Sequence, residues 1–326
     1  MVEHLARQSI HGDSLRILTT HTCQERCYFC HNEGSNDYRH SPIDIPETVD
    51  FAKKVRQEFG LEVAHLTGGE PTLHPQLIEL ITSLRDANLK VKMTSNGDFH
   101  PDLLNEIVSA GVESINFSLH AINAEDYRAT QSTLVQNKSK EYYDFLVKRK
   151  KRNIDKARQL IKTKLNTIFI TRQITGKVLD FAIEEKIPIR LMRNLDEVKK
   201  SNEILCNILE QRGLVPIKEQ FATGDSGGSG IVYGYLNKPI SPDVKVKKFG
   251  DVYLSSICDE CNFKHTDKCR ERFYGMRISM NLKTGENEVR LCIDKEGQEA
   301  VVSLEDIFKG KHYQALKDNY APRKRK

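Results

Sequence analysis

The sequence predicts an α/β fold, a partial (βα)6 TIM-like barrel followed by a mixed C-terminal domain, and three observations carry that reading. Six short apolar strand signals alternate with amphipathic helical signals through the first two thirds of the chain. That alternation stops after Gly213. Eight cysteines fall into one group near each end, with Cys206 standing alone. Strands alternating with helices imply parallel βαβ units, and six strands are fewer than a closed barrel needs.

The first strand is read over residues 15–20 and runs into a cysteine loop. A helix over 46–59 puts Val49, Ala52, Val55 and Phe59 on one face, with Pro46 suited to its first turn and Gly60 to its stop. Residues 61–67 read as the second strand, ahead of a glycine turn. A helix over 76–87 places Leu77, Leu80, Ile81 and Leu84 on one side, and 90–95 is the third strand. A helix over 102–110 is ended by Gly111, and 114–118 is the fourth strand. A long helical stretch over 138–163 aligns Val147, Ile154, Ala157 and Ile161. A strand over 164–170, a helix over 176–185, a strand over 188–192 and a helix over 197–211 complete the alternation. Ser226-Gly227-Gly228-Ser229-Gly230 reads as a flexible break. Residues 231–235 and 244–254 read as strands of a separate mixed layer. The expected division is a barrel over 1–212 and a C-terminal domain over 213–326.

With 38% hydrophobic and 29% charged residues the chain can bury a core and is not of disordered composition. No apolar run approaches the roughly 20 residues of a membrane span. Residues 1–10 lack an apolar signal core, so a cytoplasmic protein with no membrane partner is expected. In a reducing compartment, clustered cysteines read as metal ligands and not as disulfides. Cys206, among Ile204, Leu205, Ile208 and Leu209, reads as a core residue. The net charge of +5 is modest, but nine Lys and Arg against Asp155 alone fall between residues 148 and 164. That run reads as a solvated helix face, with a patch for a phosphorylated substrate as the alternative. The closing Arg323-Lys324-Arg325-Lys326 reads as a disordered end.

Cys23-x3-Cys27-x2-Cys30 directly follows a strand, on the face where barrel chemistry sits. Three thiolates can ligate three irons of a [4Fe–4S] cube and leave the fourth iron open to another molecule. Zinc is the alternative, with His21 or His31 as a fourth ligand. Three further segments stand at strand ends: Thr67-Gly68-Gly69-Glu70-Pro71, Thr94-Ser95-Asn96-Gly97 and Phe117-Ser118-Leu119-His120.

With those segments the sequence resembles the radical S-adenosylmethionine (SAM) superfamily, through about residue 195. The resemblance rests on the three cysteines with aromatic Phe29 before the last, and on the glycine-rich segment after the second strand. It implies that Cys23, Cys27 and Cys30 hold a [4Fe–4S] cluster and that SAM chelates the open iron. One electron then cleaves a C–S bond and gives a 5′-deoxyadenosyl radical. It places Phe29, Gly69, Glu70, Asn96, Ser118, Arg190, Met192 and Leu195 around SAM. In that reading Glu70 faces the ammonium group, and the amides near Gly68 and Gly69 approach the cofactor closely.

Cys258-x2-Cys261-x7-Cys269-x22-Cys292 marks the C-terminal region, with Arg277-Ile278-Ser279 and Arg290-Leu291-Cys292-Ile293 read as a hairpin carrying the last ligand. The arrangement resembles the GTP 3′,8-cyclases of molybdenum-cofactor synthesis and their relatives, which hold a second cluster. That resemblance implies two [4Fe–4S] clusters and a C-terminal auxiliary-cluster and substrate domain. Its substrate residues are Arg16, His65, Ser95, Lys164 and Arg277. A zinc ribbon is the alternative for the four cysteines. The departures count equally: His65 stands where a basic, usually Arg, residue is usual, the chain lacks a Gly-Gly end, and Cys269 is an extra cysteine that could close the second cluster.

The first functional reading is therefore a radical SAM cyclase or lyase acting on a nucleotide or similar phosphorylated small molecule. Its expected electron donor is a flavodoxin or ferredoxin, and no nucleic-acid partner is expected. The second is a peptide-modifying maturase, favoured by Cys269. The third is a non-catalytic iron–sulfur or zinc protein.

Overall fold

The computed structural model describes residues 5–11, 14–31, 41–195, 197–225, 227–235, 243–248, 251–266, 268–270, 272–295 and 299–321. In chain order these form β1 (Ala6–His11), β2 (Ser14–Leu18), α1 (Ile45–Phe59), β3 (Val63–Thr67), α2 (Leu77–Asp86), β4 (Lys90–Ser95), α3 (Leu103–Ala110) and β5 (Val112–Ser118). Then come α4 (Ala124–Thr130), α5 (Lys140–Leu160), β6 (Lys162–Ile168), α6 (Arg172–Glu184), β7 (Ile189–Met192) and α7 (Val198–Glu210). The remainder is β8 (Leu214–Thr223), β9 (Gly230–Tyr235), β10 (Val244–Lys247), α8 (Ser255–Cys258), β11 (Arg277–Met280), β12 (Asn287–Arg290), β13 (Val301–Ser303) and α9 (Gly310–Tyr320).

Local chemistry sets the boundaries. Asp44 caps α1 by accepting from Glu47 N, Pro46 fills the first turn, and Gly60 stops the helix at φ +70°. Asn123, Ser139 and Thr171 cap α4, α5 and α6 in the same way. Strands β2 to β7 lie side by side, all parallel and in sequence order, which is the curled partial barrel. Period-2 alternation splits each strand between two environments. Ile17, Leu66, Met93, Ile115, Leu165 and Leu191 are buried against helix residues such as Val55, Leu80, Leu84, Ile107, Ala157, Val178 and Leu205. The alternate residues form a polar ladder facing inward, with Arg16 paired to His65, His65 to Lys92, Asn116 to Lys164, and Asn166 to Arg190.

The strands after residue 213 do not form a separate layer. Among the described residues the sheet continues past both edges of the barrel. β10 pairs parallel with β7 and β11 pairs parallel with β2, so the order runs β1-β8-β9-β10-β7-β6-β5-β4-β3-β2-β11-β12-β13. The hairpin read from sequence is present as β11 and β12, with Cys292 just past its end. The strand expected over 244–254 stops at Lys247, and Leu254 leads into α8. The strand β1, the strand β8 and the helix α9 carry no strong periodic signal and were not anticipated.

Three other expectations change. Cys206 is exposed, because the buried stripe of α7 runs through Ser201, Leu205, Ile208 and Leu209 and residue 206 falls on its outer flank. Ser226 lies outside the described residues, but the glycines after it are packing sites and not a slack hinge. A Cβ on Gly228 would meet Ile10 at 2.6 Å, and one on Gly230 would meet Val246 O at 2.6 Å. The basic run is not simply solvated: Lys150 is 1% exposed, Arg149 pairs with Asp98, and Lys156 donates to Pro101 O. Residues 323–326 lie outside the described residues.

Candidate active site

The cysteine loop leaves the C-terminal end of β2 and is gripped by the loop after β3. Gly69 N donates to Thr20 O and Glu70 N to Thr22 O, both at 2.8 Å. A Cβ at Gly69 would sit 2.1 Å from Thr22 O, and one at Gly68, whose φ is +126°, 2.5 Å from Thr20 O. The two glycines therefore serve the docking of one loop on the other. The Gly69 amide is spent on a backbone carbonyl, while both glycines still border the cavity.

The docked loop places Cys23, Cys27 and Cys30 on the wall of a cavity of about 250 Å³ at the barrel mouth. Burial, then Glu25 and Glu70, push the Cys23 thiol up to about 12. Burial, Glu25 and Cys30 also push the Cys27 thiol well above its usual value, with Lys150 opposing. Protonated thiols take local partners. Cys27 Sγ lies 3.4 Å from Glu25 Oε2 and 3.7 Å from Gln131 Nε2, and Cys23 Sγ lies 3.8 Å from Asn96 Nδ2. In this arrangement no three His, Cys, Asp or Glu side chains among the described residues converge on one point. The donor set still fits an iron–sulfur cube: three soft ligands on one short loop, facing a cavity that leaves room for a fourth partner. His21 is turned away, with Nε2 2.9 Å from Met280 O.

The same cavity is lined by Phe29, Gly69, Glu70, Asn96, Ser118, Arg190, Met192 and Leu195, all eight residues expected around SAM. Their roles divide. Glu70 is fully buried and accepts from Ser95 Oγ at 2.8 Å, Asn96 N at 2.7 Å, Thr72 N at 3.1 Å and Thr72 Oγ1 at 2.8 Å. Its lone pairs are taken, so it organises the strand ends and has little left for an ammonium group. Ser95 is 1% exposed, and its hydroxyl serves Glu70 and Gly97 N. It borders the cavity, but with its oxygen engaged it serves to position Asn96. Asn166 Oδ1, by contrast, is buried on the cavity wall with no hydrogen-bond partner. His120 is held near 3 by burial and by Lys150, so it is neutral. Its Nδ1 accepts from Ile168 N at 3.2 Å, and Phe29 packs edge-on at 4.9 Å.

Below the mouth the lumen turns cationic. Arg16, Arg277 and Lys247 stand over the ring of Tyr274 at 5.0, 5.3 and 3.8 Å, and Lys247 Nζ donates to the Tyr274 hydroxyl. Burial would raise the Tyr274 phenol, but Lys247, Arg16 and Arg190 bring it below its usual value. Arg16, His65, Asn116, Arg190 and Tyr274 line both the upper cavity and a lower one of about 870 Å³. Lys164 belongs to the lower cavity. Burial, then Arg190, Lys245, Lys92 and Lys247, bring its amine down to about 7, and Lys245 is brought to about 8 by burial and Arg190. Glu113 and Asp225 are the carboxylates on that lower wall.

The radical SAM superfamily profile matches residues 17–180, half of the chain, and covers the cysteine loop and the ends of strands β2 to β6. The chain belongs to the radical SAM superfamily. As a radical SAM enzyme it is similar to a probable GTP 3′,8-cyclase of Sulfurisphaera tokodaii, 29% identical over 61% of this chain and 64% of that protein. A probable GTP 3′,8-cyclase of Sulfolobus acidocaldarius is 31% identical over 57% of this chain and 54% of that protein. The match thus spans less than two thirds of these relatives' length. Among solved structures, native anSMEcpe with bound AdoMet superposes with a TM-score of 0.58 at 12% identity, over 95% of this chain and 84% of that one. Streptococcus suis SuiB bound to precursor peptide SuiA gives 0.55 at 13% identity, over 94% and 67%. These two likenesses show the fold.

The family implies a [4Fe–4S] cluster and SAM. The second cysteine set is arranged differently. Cys258, Cys261, Cys269 and Cys292 line neither cavity. Burial, then Cys269 and Cys261, raise the Cys258 thiol above its usual value. Arg270 pairs with Asp294 at 2.5 Å and ties the Cys269 loop to the Cys292 loop. No described helix is long and apolar enough to cross a membrane. Sequence reasoning missed Lys247, Tyr274, Arg193 and Asn166 on the cavity walls. Lys247 had a signal in the Val-Lys-Val-Lys alternation of β10; Tyr274, in a loop, had none.

Proposed function

We propose that this radical SAM enzyme cyclises or rearranges a nucleotide or similar phosphorylated small molecule. SAM would occupy the upper cavity and the substrate's anionic part the lumen beneath. The cationic waist carries this reading: Arg16, Arg190 and Lys247 gather around Tyr274, and Lys164 and Lys245 lose basicity to their neighbours. Such crowding is costly without an anion, and a phosphate supplies one. The names of the similar cyclases agree with it.

When bound to Cys23, Cys27 and Cys30, the cluster supplies one electron to the sulfonium of SAM and so makes a 5′-deoxyadenosyl radical that abstracts a substrate hydrogen. The chain's own residues orient and shield. Asn96, Ser118, Asn166 and Arg190 offer polar groups to the methionyl carboxylate and ribose, while Met192 and Leu195 present an apolar wall to the adenine. Arg16, Lys164, Lys247 and Arg277 hold the substrate anion, with His65 at the junction of the two cavities. Residues 213–326 complete the substrate site and carry a second cluster on Cys258, Cys261, Cys269 and Cys292. An acidic one-electron carrier of flavodoxin or ferredoxin type reduces the protein, which works in the cytoplasm.

Anaerobic reconstitution followed by a panel of nucleoside triphosphates tests this. At least one should raise 5′-deoxyadenosine formation above the uncoupled rate and protect the lumen lysines from acylation. If no nucleotide or sugar phosphate does either, while a peptide does, the reading is wrong. The extra Cys269 favours that second, peptide-modifying reading, because a fully ligated second cluster has no open iron for substrate.

A further inference from the structure

The basic run of α5 conceals an internal ion pair at the cluster loop. Lys150 is 1% exposed and Glu25, inside the Cys23–Cys27 loop, is 7% exposed. The Lys150 ammonium donates to Glu25 Oε1 and lies 4.8 Å from the centroid of the Tyr127 ring. The other Glu25 oxygen, Oε2, is 3.4 Å from Cys27 Sγ. Lys150 thus reaches across 125 residues of sequence to a carboxylate in contact with a cysteine of the loop. The same face of α5 grips the loop after β4. Asn153 donates to Gly97 O and Phe99 O, each at 2.9 Å, and Arg149 pairs with Asp98. Gln24 joins the two gripped loops by donating to Asp98 O at 2.8 Å.

The electrostatics follow from that placement. Ligands to iron are thiolates, so ligation sets negative charge at Cys27 beside a buried carboxylate. In a poorly screened interior that repulsion is large unless a cation is adjacent. Lys150 is the buried cation on Glu25.

We propose that Lys150 is a positioning residue which, through Glu25, sets the charge felt by the cluster on Cys23, Cys27 and Cys30 and hence how readily it accepts its electron. This rests on those three cysteines as cluster ligands. The test is an EPR-monitored redox titration that follows the signal responding to SAM. Its absence from wild-type protein would sink the ligand reading itself, and its presence isolates the question of Lys150.

Lys150→Met strands a negative charge, so at the potential that half-reduces wild type its reduced-to-oxidised ratio should fall by about tenfold, equivalent to ~59 mV for one electron. Glu25→Gln strands a positive charge and should move the ratio the opposite way. The double variant should return close to wild type, because the pair is removed whole, and Lys150→Arg should stay there. A loss of structure would move both single variants in one direction, so opposite signs are the signature. Equal signs, no shift in loaded protein, or loss of iron from both single variants would overturn the proposal. If Lys150→Met alone fails to load iron, Glu25→Gln decides by itself: a rise supports, no change refutes.

Discussion

The two cysteine groups share a residue type and a loop-like spacing, yet they sit in different surroundings. The first is docked by Gly68 and Gly69, faces the barrel mouth and borders a cavity lined by the ends of the barrel strands. The second lies beyond the cavities, tied by the Arg270–Asp294 pair between its own loops. Spacing therefore says that a loop can hold a metal group. Only the neighbouring space says whether that group can meet another molecule.

The comparison breaks most sharply at Cys27. Cys27→Ala should abolish 5′-deoxyadenosine formation and remove about four irons, while iron at the C-terminal set is retained. Loss from both sites would mean that the two are not independent. Gly69→Ala should come next. Its added methyl would collide with Thr22 O, so the SAM-responsive EPR signal should collapse while far-ultraviolet circular dichroism stays native. Cys269→Ala should weaken iron retention at the second set and leave SAM cleavage in place. A parallel loss of SAM cleavage would show that the second set lies on the reaction path.

The smallest effect is electrostatic. Lys164 is protonated below about 7 and neutral above it, so affinity for a phosphorylated ligand should rise as pH falls through that value. Lys164→Met should flatten the profile and weaken binding about tenfold, as for a lost charge-assisted hydrogen bond. The linkage has a second sign. The folded value lies below the ordinary 10.5, so between the two the unfolded chain binds the extra proton. Ligand-free stability should therefore gain from this group as pH rises across that window, and denaturant melts of wild type against Lys164→Met would measure it.

Much of this was legible. Strands β2 to β7 and their helices follow apolar periodicity, and all eight residues expected at SAM line one cavity. Contact, however, is not role. Glu70 and Ser95 reach the cavity wall but spend their oxygens on each other and on neighbouring amides, a fact of hydrogen-bond saturation that no motif contains. Lys150 could have been found, since it falls three residues after Val147 and four before Ile154 on the buried stripe of α5. The surrounding charges made that stripe look like a solvated face. The added strands β10 and β11 were unreadable as barrel neighbours because pairing across 55 residues or more leaves no local pattern.

That pairing has a consequence for how the chain is made. As synthesis proceeds, β2 to β7 emerge with two bare sheet edges, and unpaired edges invite association with other chains. β10 covers one and β11 the other, and neither exists until three quarters of the 326 residues have been translated. A nascent chain cut after residue 212 should therefore be sticky and chaperone-dependent. Lys245 and Lys247 would arrive with β10, and Arg277 with β11, the very strands that cover the edges.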